Sequence, residues 1–227
     1  MALAERDKDN TVRRYTERYA QFGYSEEALG WTKKRQPIRF DVLSSIADLR
    51  GKMILDIGCG FGDLNTTLTA KYGNDYTYIG VDVVDALIGK ACELFSAPHI
   101  CFLKGEFLKT TIEAEVDVAI SSGIFNHRFE ETDSYGFIEA TMEKAFALCR
   151  EGFAFDFLSD KVDYELPHTF HASPERILEM AYRLSRNVVL RNDYMPFEFA
   201  LYVYKDDGFK PEEAVFSRYQ SLRNQAR

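Results

Sequence analysis

The sequence predicts a doubly wound α/β fold, a seven-stranded and mostly parallel sheet closed by an antiparallel last strand. Three observations predict it. Short apolar runs alternate with helical patterns from about Gly51 to Cys149, as in a parallel sheet covered on both faces. The first run, "MILDIG", ends beyond an acid in three glycines at every second position, Gly58, Gly60 and Gly62. After Asn187 come two strand-like runs joined by a turn that holds Met195 and Pro196, a hairpin that closes the sheet.

Each element follows from its local pattern. From Lys8 to Ala20 the chain is polar, with Val12, Tyr15, Tyr19 and Phe22 spaced for one helical face; Gly23 and Gly30 break it. A second helix runs from Pro37 to Leu49, with Ile38, Val42, Leu43 and Ile46 facing inward. "KMILDIG" is the first strand, and a helix starts near Asp63. "TYIGVDV" is the second strand, with a helix over Asp85 to Phe95, and "ICFLKGEF" is the third. "VDVAISSGI" is the fourth, with a helix from Ser134 to Cys149, and "GFAFDFLS" is the fifth. Ser173 caps a helix that has Pro174 at its first position. "NVVLRNDY" and "FEFALYVYKD" are the last two strands, and a short helix from Pro211 lies in the tail. Right-handed crossovers wind such a chain to both faces of the sheet. With no repeat or linker, one domain spans 1–227: a helical lid over 1–49, an α/β core over 50–205 and an extension over 206–227.

Composition narrows the function classes. The 227 residues carry a formal charge of −8, which argues against a nucleic-acid backbone as partner. The nearest thing to a basic cluster is Lys33, Lys34 and Arg35. Cys59, Cys92, Cys101 and Cys149 form no C-x-x-C pair, so neither zinc nor a disulfide framework is expected. Free thiols and a charged start without an apolar signal segment suit the cytoplasm. No apolar run approaches the ~18 residues of a membrane helix.

The glycine turn limits the ligand. Asp56 stands at the carboxyl end of the first strand, where open α/β sheets place ligands. Glycines there remove the Cβ atoms that would block close approach. A dinucleotide fingerprint would have a third glycine where Asp63 stands. An acid at a helix N-terminus competes with a pyrophosphate for the same dipole and N–H groups. The turn therefore suits a ligand with a cation and no phosphate, such as S-adenosylmethionine (SAM). Asp82 ends the second strand ~20 residues after the turn, where an acid can hold ribose hydroxyls.

"ILDIGCGFGDL", "YIGVDVV", "FLKGEFL", "VDVAISSGIFN" and the terminal hairpin resemble the class I SAM-dependent methyltransferases, over roughly Gly51 to Lys205. Within that family, "CGFGDL", "SGIFN" and "VVLRNDYMPFEFALYVYK" resemble small bacterial methyltransferases of poorly defined substrate. The resemblance implies a Rossmann-like plan with SAM as cofactor and S-adenosylhomocysteine (SAH) as product. It implies Asp56, Gly58 and Gly60 along the methionine end, with Gln36, Cys59 and Asp63 also among the cofactor-binding residues. Asp82 would take the ribose hydroxyls, Val83 would pack on the adenine, and Glu106 and Phe107 would flank its edge. Ser122 and Gly123 would border the sulfonium. The family often has Asp where Glu106 stands.

Methyl transfer asks the protein for alignment and a dry site, and an oxygen acceptor also asks for a base. His127 follows "SGIFN" directly. Asp160, Tyr164, His168 and His171 lie in the segment after the fifth strand, over the expected mouth. His127, Tyr164 and His168 are the candidate catalytic residues; His168 and His171 lack a third metal ligand. In the lid, Tyr19, Phe22, Tyr24 and Trp31 with Arg35, Gln36 and Arg39 suit a small polar or anionic substrate. The C-terminal aromatics suit core positions or a homodimer interface. The expected activity is methyl transfer to an oxygen, or a nitrogen, of a small polar metabolite such as a carbohydrate or natural-product intermediate. Aminopropyl transfer from decarboxylated SAM and non-catalytic SAM or SAH binding remain as alternatives. A dehydrogenase fits worst, for want of the third glycine.

Overall fold

The computed structural model describes residues 1–30 and 35–225; Trp31, Lys33 and Lys34 of the expected lid lie outside them. Strands β1 (Met53–Ile57), β2 (Thr77–Asp82), β3 (Ile100–Lys104), β4 (Val116–Ser121), β5 (Cys149–Leu158), β6 (Val188–Arg191) and β7 (Glu198–Tyr204) form one sheet. Their order is β3-β2-β1-β4-β5-β7-β6. The β1–β5 pairings are parallel, and β7 runs antiparallel between β5 and β6. Asp56 pairs with Gly80 on one side and Ile120 on the other, so the carboxyl ends of β1, β2 and β4 meet at one edge of the sheet.

Helices α1 (Glu5–Phe22), α2 (Gln36–Leu43), α3 (Leu64–Tyr72), α4 (Asp85–Leu94), α5 (Ser134–Leu148), α6 (Pro174–Leu184) and α7 (Ser217–Gln225) complete the chain. Alternation along β5 sorts its side chains. Phe153, Phe155 and Phe157 join the core that α5 and α6 cover, and Ala154 joins the core under α2 and α3. Asp133 caps α5 through the N–H groups of Tyr135 and Gly136, and Ser173 caps α6 through that of Arg176.

Three expectations fail locally. The second helix stops at Leu43 and tightens into a 3-10 turn over Ser44–Ile46; Val42, Leu43 and Ile46 are buried as expected, but Arg39 and Phe40 also turn inward and Ile38 is exposed. Phe22 lies at the end of α1, beyond the packed face, and is also exposed. The tail helix begins at Ser217, not Pro211.

Helix α1 lies over the ligand edge of the sheet. Tyr15 and Tyr19 pack on Phe61, Val84 and Leu87. The buried Asp7 carboxylate accepts hydrogen bonds from the backbone N–H groups of Glu130, Glu131 and Thr132, at 2.9, 3.0 and 2.7 Å. Burial alone would raise its pKa, but these donors outweigh it and hold the group below the usual carboxylate value. Tyr24 donates to Asp63 at 2.7 Å and so ties the far end of this segment to the start of α3.

Candidate active site

Two cavities open at this edge. The first, of about 150 Å³, is lined by Asp56, Gly58, Cys59, Gly60, Asp82, Val83, Glu106, Phe107, Ser122 and Gly123, with Gln36 from α2. Every expected cofactor residue except Asp63 lies there. Asp63 stands apart because it faces the lid, where Tyr24 takes its carboxylate. Leu3, Thr11, Tyr15 and Leu29 roof the cavity, a contribution from the chain's start that no local motif signals.

The turn is held tightly. The N–H groups of Gly58 and Cys59 donate to the Val81 carbonyl, and those of Gly60 and Val84 donate to the Asp82 carboxylate at 2.9 and 2.8 Å. At Gly58, with φ +72°, an added Cβ would lie 2.0 Å from Ile124 Cγ2. Only glycine passes the chain between that side chain and β2. Asp82 thus pins both the glycine turn and the start of α4 while still facing the cavity.

Asp56 is buried, and among the described residues its one hydrogen-bond donor is the Tyr78 hydroxyl, at 2.7 Å. Burial pushes its pKa up to about 7; the Tyr78 hydroxyl opposes this, and Asp82, Asp63 and Asp156 add to it. Burial likewise raises Asp82 against the backbone donors that hold it. It also raises the Cys59 thiol well above its usual value, so that sulfur is no nucleophile. Glu106 accepts from the Leu3 N–H at 2.8 Å and pairs with Lys109 at 2.9 Å, which anchors the chain's start to the rim.

Asp156 is a residue that sequence reasoning missed. It lies in the apolar strand β5, and its carboxylate accepts from the Gly123 N–H at 2.7 Å and the Ser122 hydroxyl at 2.5 Å. It fixes the bend that the two cavities share. Burial raises it to about 6, and Arg39 opposes that rise. The available signal was the acid itself, the one charge within "GFAFDFLS".

The second cavity, of about 270 Å³, meets the first at Tyr15, Leu29, Gly123 and His127. Arg14, Arg35 and Arg39 line it, with His127, Tyr164, His168 and His171. All three candidate catalytic residues therefore face one space, although Tyr164 is largely exposed. Only His127 also borders the first cavity. Burial, then Arg14 and His168, lower its pKa. The His171 ring has both nitrogens engaged, one with the Ser159 carbonyl at 2.6 Å and one with the Thr169 hydroxyl at 3.0 Å, so it serves the loop. Arg39 forms a buried two-pronged pair with Glu198 beneath. Among the described residues no group of three or more His, Cys, Asp and Glu could hold a metal ion.

Strand order, the antiparallel β7 and the ligand edge define the class I methyltransferase fold. Residues 54–152 match the family model described as a methyltransferase domain. The fold is similar to that of magnesium protoporphyrin IX methyltransferase from Synechocystis PCC 6803 with bound SAM. The identity is 13% over 90% of this chain and 99% of that one, with a TM-score of 0.63. It is also similar to human N-acetylserotonin methyltransferase in complex with SAM, at 17% identity over 89% of this chain and 60% of that one, with a TM-score of 0.66. A SAM-dependent methyltransferase from Aquifex aeolicus aligns at 16% identity over 76% of this chain and 93% of that one, with a TM-score of 0.58. No curated protein matches the sequence. Over residues 54–152 the chain thus carries a methyltransferase domain of the class I fold. Its donor set fits SAM: a buried carboxyl that has no cation partner among the described residues suits an ammonium, and a second acid at the next strand end suits ribose hydroxyls. No helix of the described residues is long and apolar enough to cross a membrane.

Proposed function

We propose that the protein is a SAM-dependent methyltransferase acting on an oxygen or nitrogen of a small polar molecule seated in the second cavity. The observation that carries this reading is the junction: the two cavities meet at Gly123 and His127. When bound, SAM supplies an activated methyl on a sulfonium. In this reading Asp56 holds the ammonium end, Asp82 the ribose, and Val83 and Phe107 the adenine faces, while Ser122 and Gly123 border the methyl. Glu106 serves the adenine edge indirectly, since Leu3 occupies one of its oxygens. The bend at 122–123, fixed by Asp156, keeps the acceptor in line with the methyl, where positioning supplies most of the rate.

His127 is the general base. It is neutral at pH 7, because its pKa lies below the usual 6.5. Tyr164 and His168 close the outer wall. The arginines speak against a polyamine acceptor and hence against aminopropyl transfer. A screen of small hydroxyl and amine acceptors, read by SAH formation, tests the reading. Turnover of at least one acceptor supports it. SAM binding without turnover of any acceptor would favour a non-catalytic binding role.

A further inference from the structure

The base bordering both cavities is covered at one ring nitrogen. Arg14 Nη1 lies 2.6 Å from His127 Nδ1. A guanidinium offers only donors, so Nδ1 accepts and the ring proton sits on Nε2. The only lone pair available on His127 is therefore occupied by a cation. Backbone pairing fixes the ring's place: His127 bridges to Thr169, and the Arg128 N–H donates to the His168 carbonyl at 3.0 Å. Arg14 is the movable partner, a long side chain on α1.

Arg14 makes no ion pair among the described residues, and neither does Arg35, although both line the acceptor cavity. Arg39, by contrast, is matched by Glu198. Two guanidiniums without a carboxylate partner at one cavity form a receptor for an oxyanion. We infer that the acceptor carries a carboxylate or phosphate that draws Arg14 away from His127, so that the acceptor's own anionic group uncovers the base. This rests on the small-acceptor reading above and names its substrate class.

The chemistry balances. With Arg14 turned to the oxyanion, His127 Nδ1 takes the proton of the acceptor's hydroxyl as that O–H bond breaks. The freed oxygen pair forms the bond to the methyl carbon, and the pair of the broken carbon–sulfur bond stays on sulfur. The imidazolium then returns its proton to water. An acceptor without the anion leaves Arg14 on Nδ1 and meets a blocked base. Such a device selects for charge at the chemical step as well as in binding.

Histidine-selective NMR titration of the SAH-loaded protein reads His127 without turnover, so its failure is distinct from failure of the acceptor screen. The charged groups facing His127 are Arg14 and Asp7 from α1 and His168 from the segment after β5. Benzoate and inorganic phosphate serve as separate probes. In the wild type, a bound probe raises the His127 titration midpoint. In Arg14→Gln the midpoint starts higher and no probe moves it. A response to benzoate alone assigns a carboxylate, and to phosphate alone a phosphate. No response to either, or the same response in Arg14→Gln, overturns the inference. Kinetics gives a second readout. Arg14→Gln raises KM for an anionic acceptor about tenfold or more and raises turnover of its neutral ester. A wild-type enzyme that uses ester and acid equally would also overturn it.

Discussion

Asp56, Asp82 and Ser122 reach the first cavity from the ends of three adjacent strands, joined by one glycine turn. Arg14, Arg39, His127, His168 and Glu198 reach the second from an N-terminal helix, a second helix, two loops and the last strand. The first cavity is a product of sheet register, so its geometry is set as soon as β1, β2 and β4 pair. The second is assembled from pieces far apart in the chain and depends on α1 lying across the sheet edge. A fold can keep the one while changing the other, which is how a shared methyl donor serves different acceptors.

Removing the histidine at the junction separates the two regions most sharply. His127→Ala should lower turnover by about 10²–10⁴-fold, the usual contribution of a general base. SAM affinity, measured by calorimetry, should change by no more than about 1 kcal/mol, since His127 borders the first cavity only where it meets the second. A matching loss in both would mean that the cavities are not separable there.

The next largest effect belongs to the first cavity. Asp82→Ala should weaken SAM binding by roughly 1.5–3 kcal/mol, the scale of hydrogen bonds to a charged group. It should also lower the melting temperature, because the N–H groups of Gly60 and Val84 lose their acceptor. Unchanged affinity would remove Asp82 from the site.

The smallest effect is expected beneath the second cavity. Among the described residues the buried Tyr194 hydroxyl has no hydrogen-bond partner. Tyr194→Phe should therefore leave stability within about 0.5 kcal/mol or raise it, since no bond is broken. A loss of 2 kcal/mol or more (roughly the cost of a broken buried hydrogen bond) would show that this hydroxyl is engaged.

The same division decided what could be read in advance. Strands, the glycine turn and the acids at strand ends are local patterns, and the order of apolar runs nearly dictates the sheet. Even there the phase of a helix slipped: Ile38 faces out because Arg39 turns in to meet Glu198, 159 residues away. The clamp of Asp7 on 130–132 and the cover of Arg14 on His127 also join the chain's start to its middle, across 113 or more residues. No spacing rule reaches that far. His127, His168 and Tyr164 were legible only as a set of chemically able residues after the right strands; their shared cavity and the arginine on His127 required the structure.

The central claim is that Asp56 is a buried acid awaiting the cation of SAM. Its pKa of about 7 against an ordinary 3.8 gives the sign. Raised in the folded state, it adds stability to the unliganded protein below the ordinary carboxylate range and loses it as the pH climbs through 7. Binding a cation reverses this by favouring the ionised form. The decisive measurement is calorimetric titration with SAM from about pH 5 to about pH 8, in buffers of differing ionisation enthalpy. The account predicts affinity that rises with pH and levels off above 7, proton release on binding near neutrality, and loss of both features in Asp56→Asn. An affinity flat across that range, with no proton released, would contradict it.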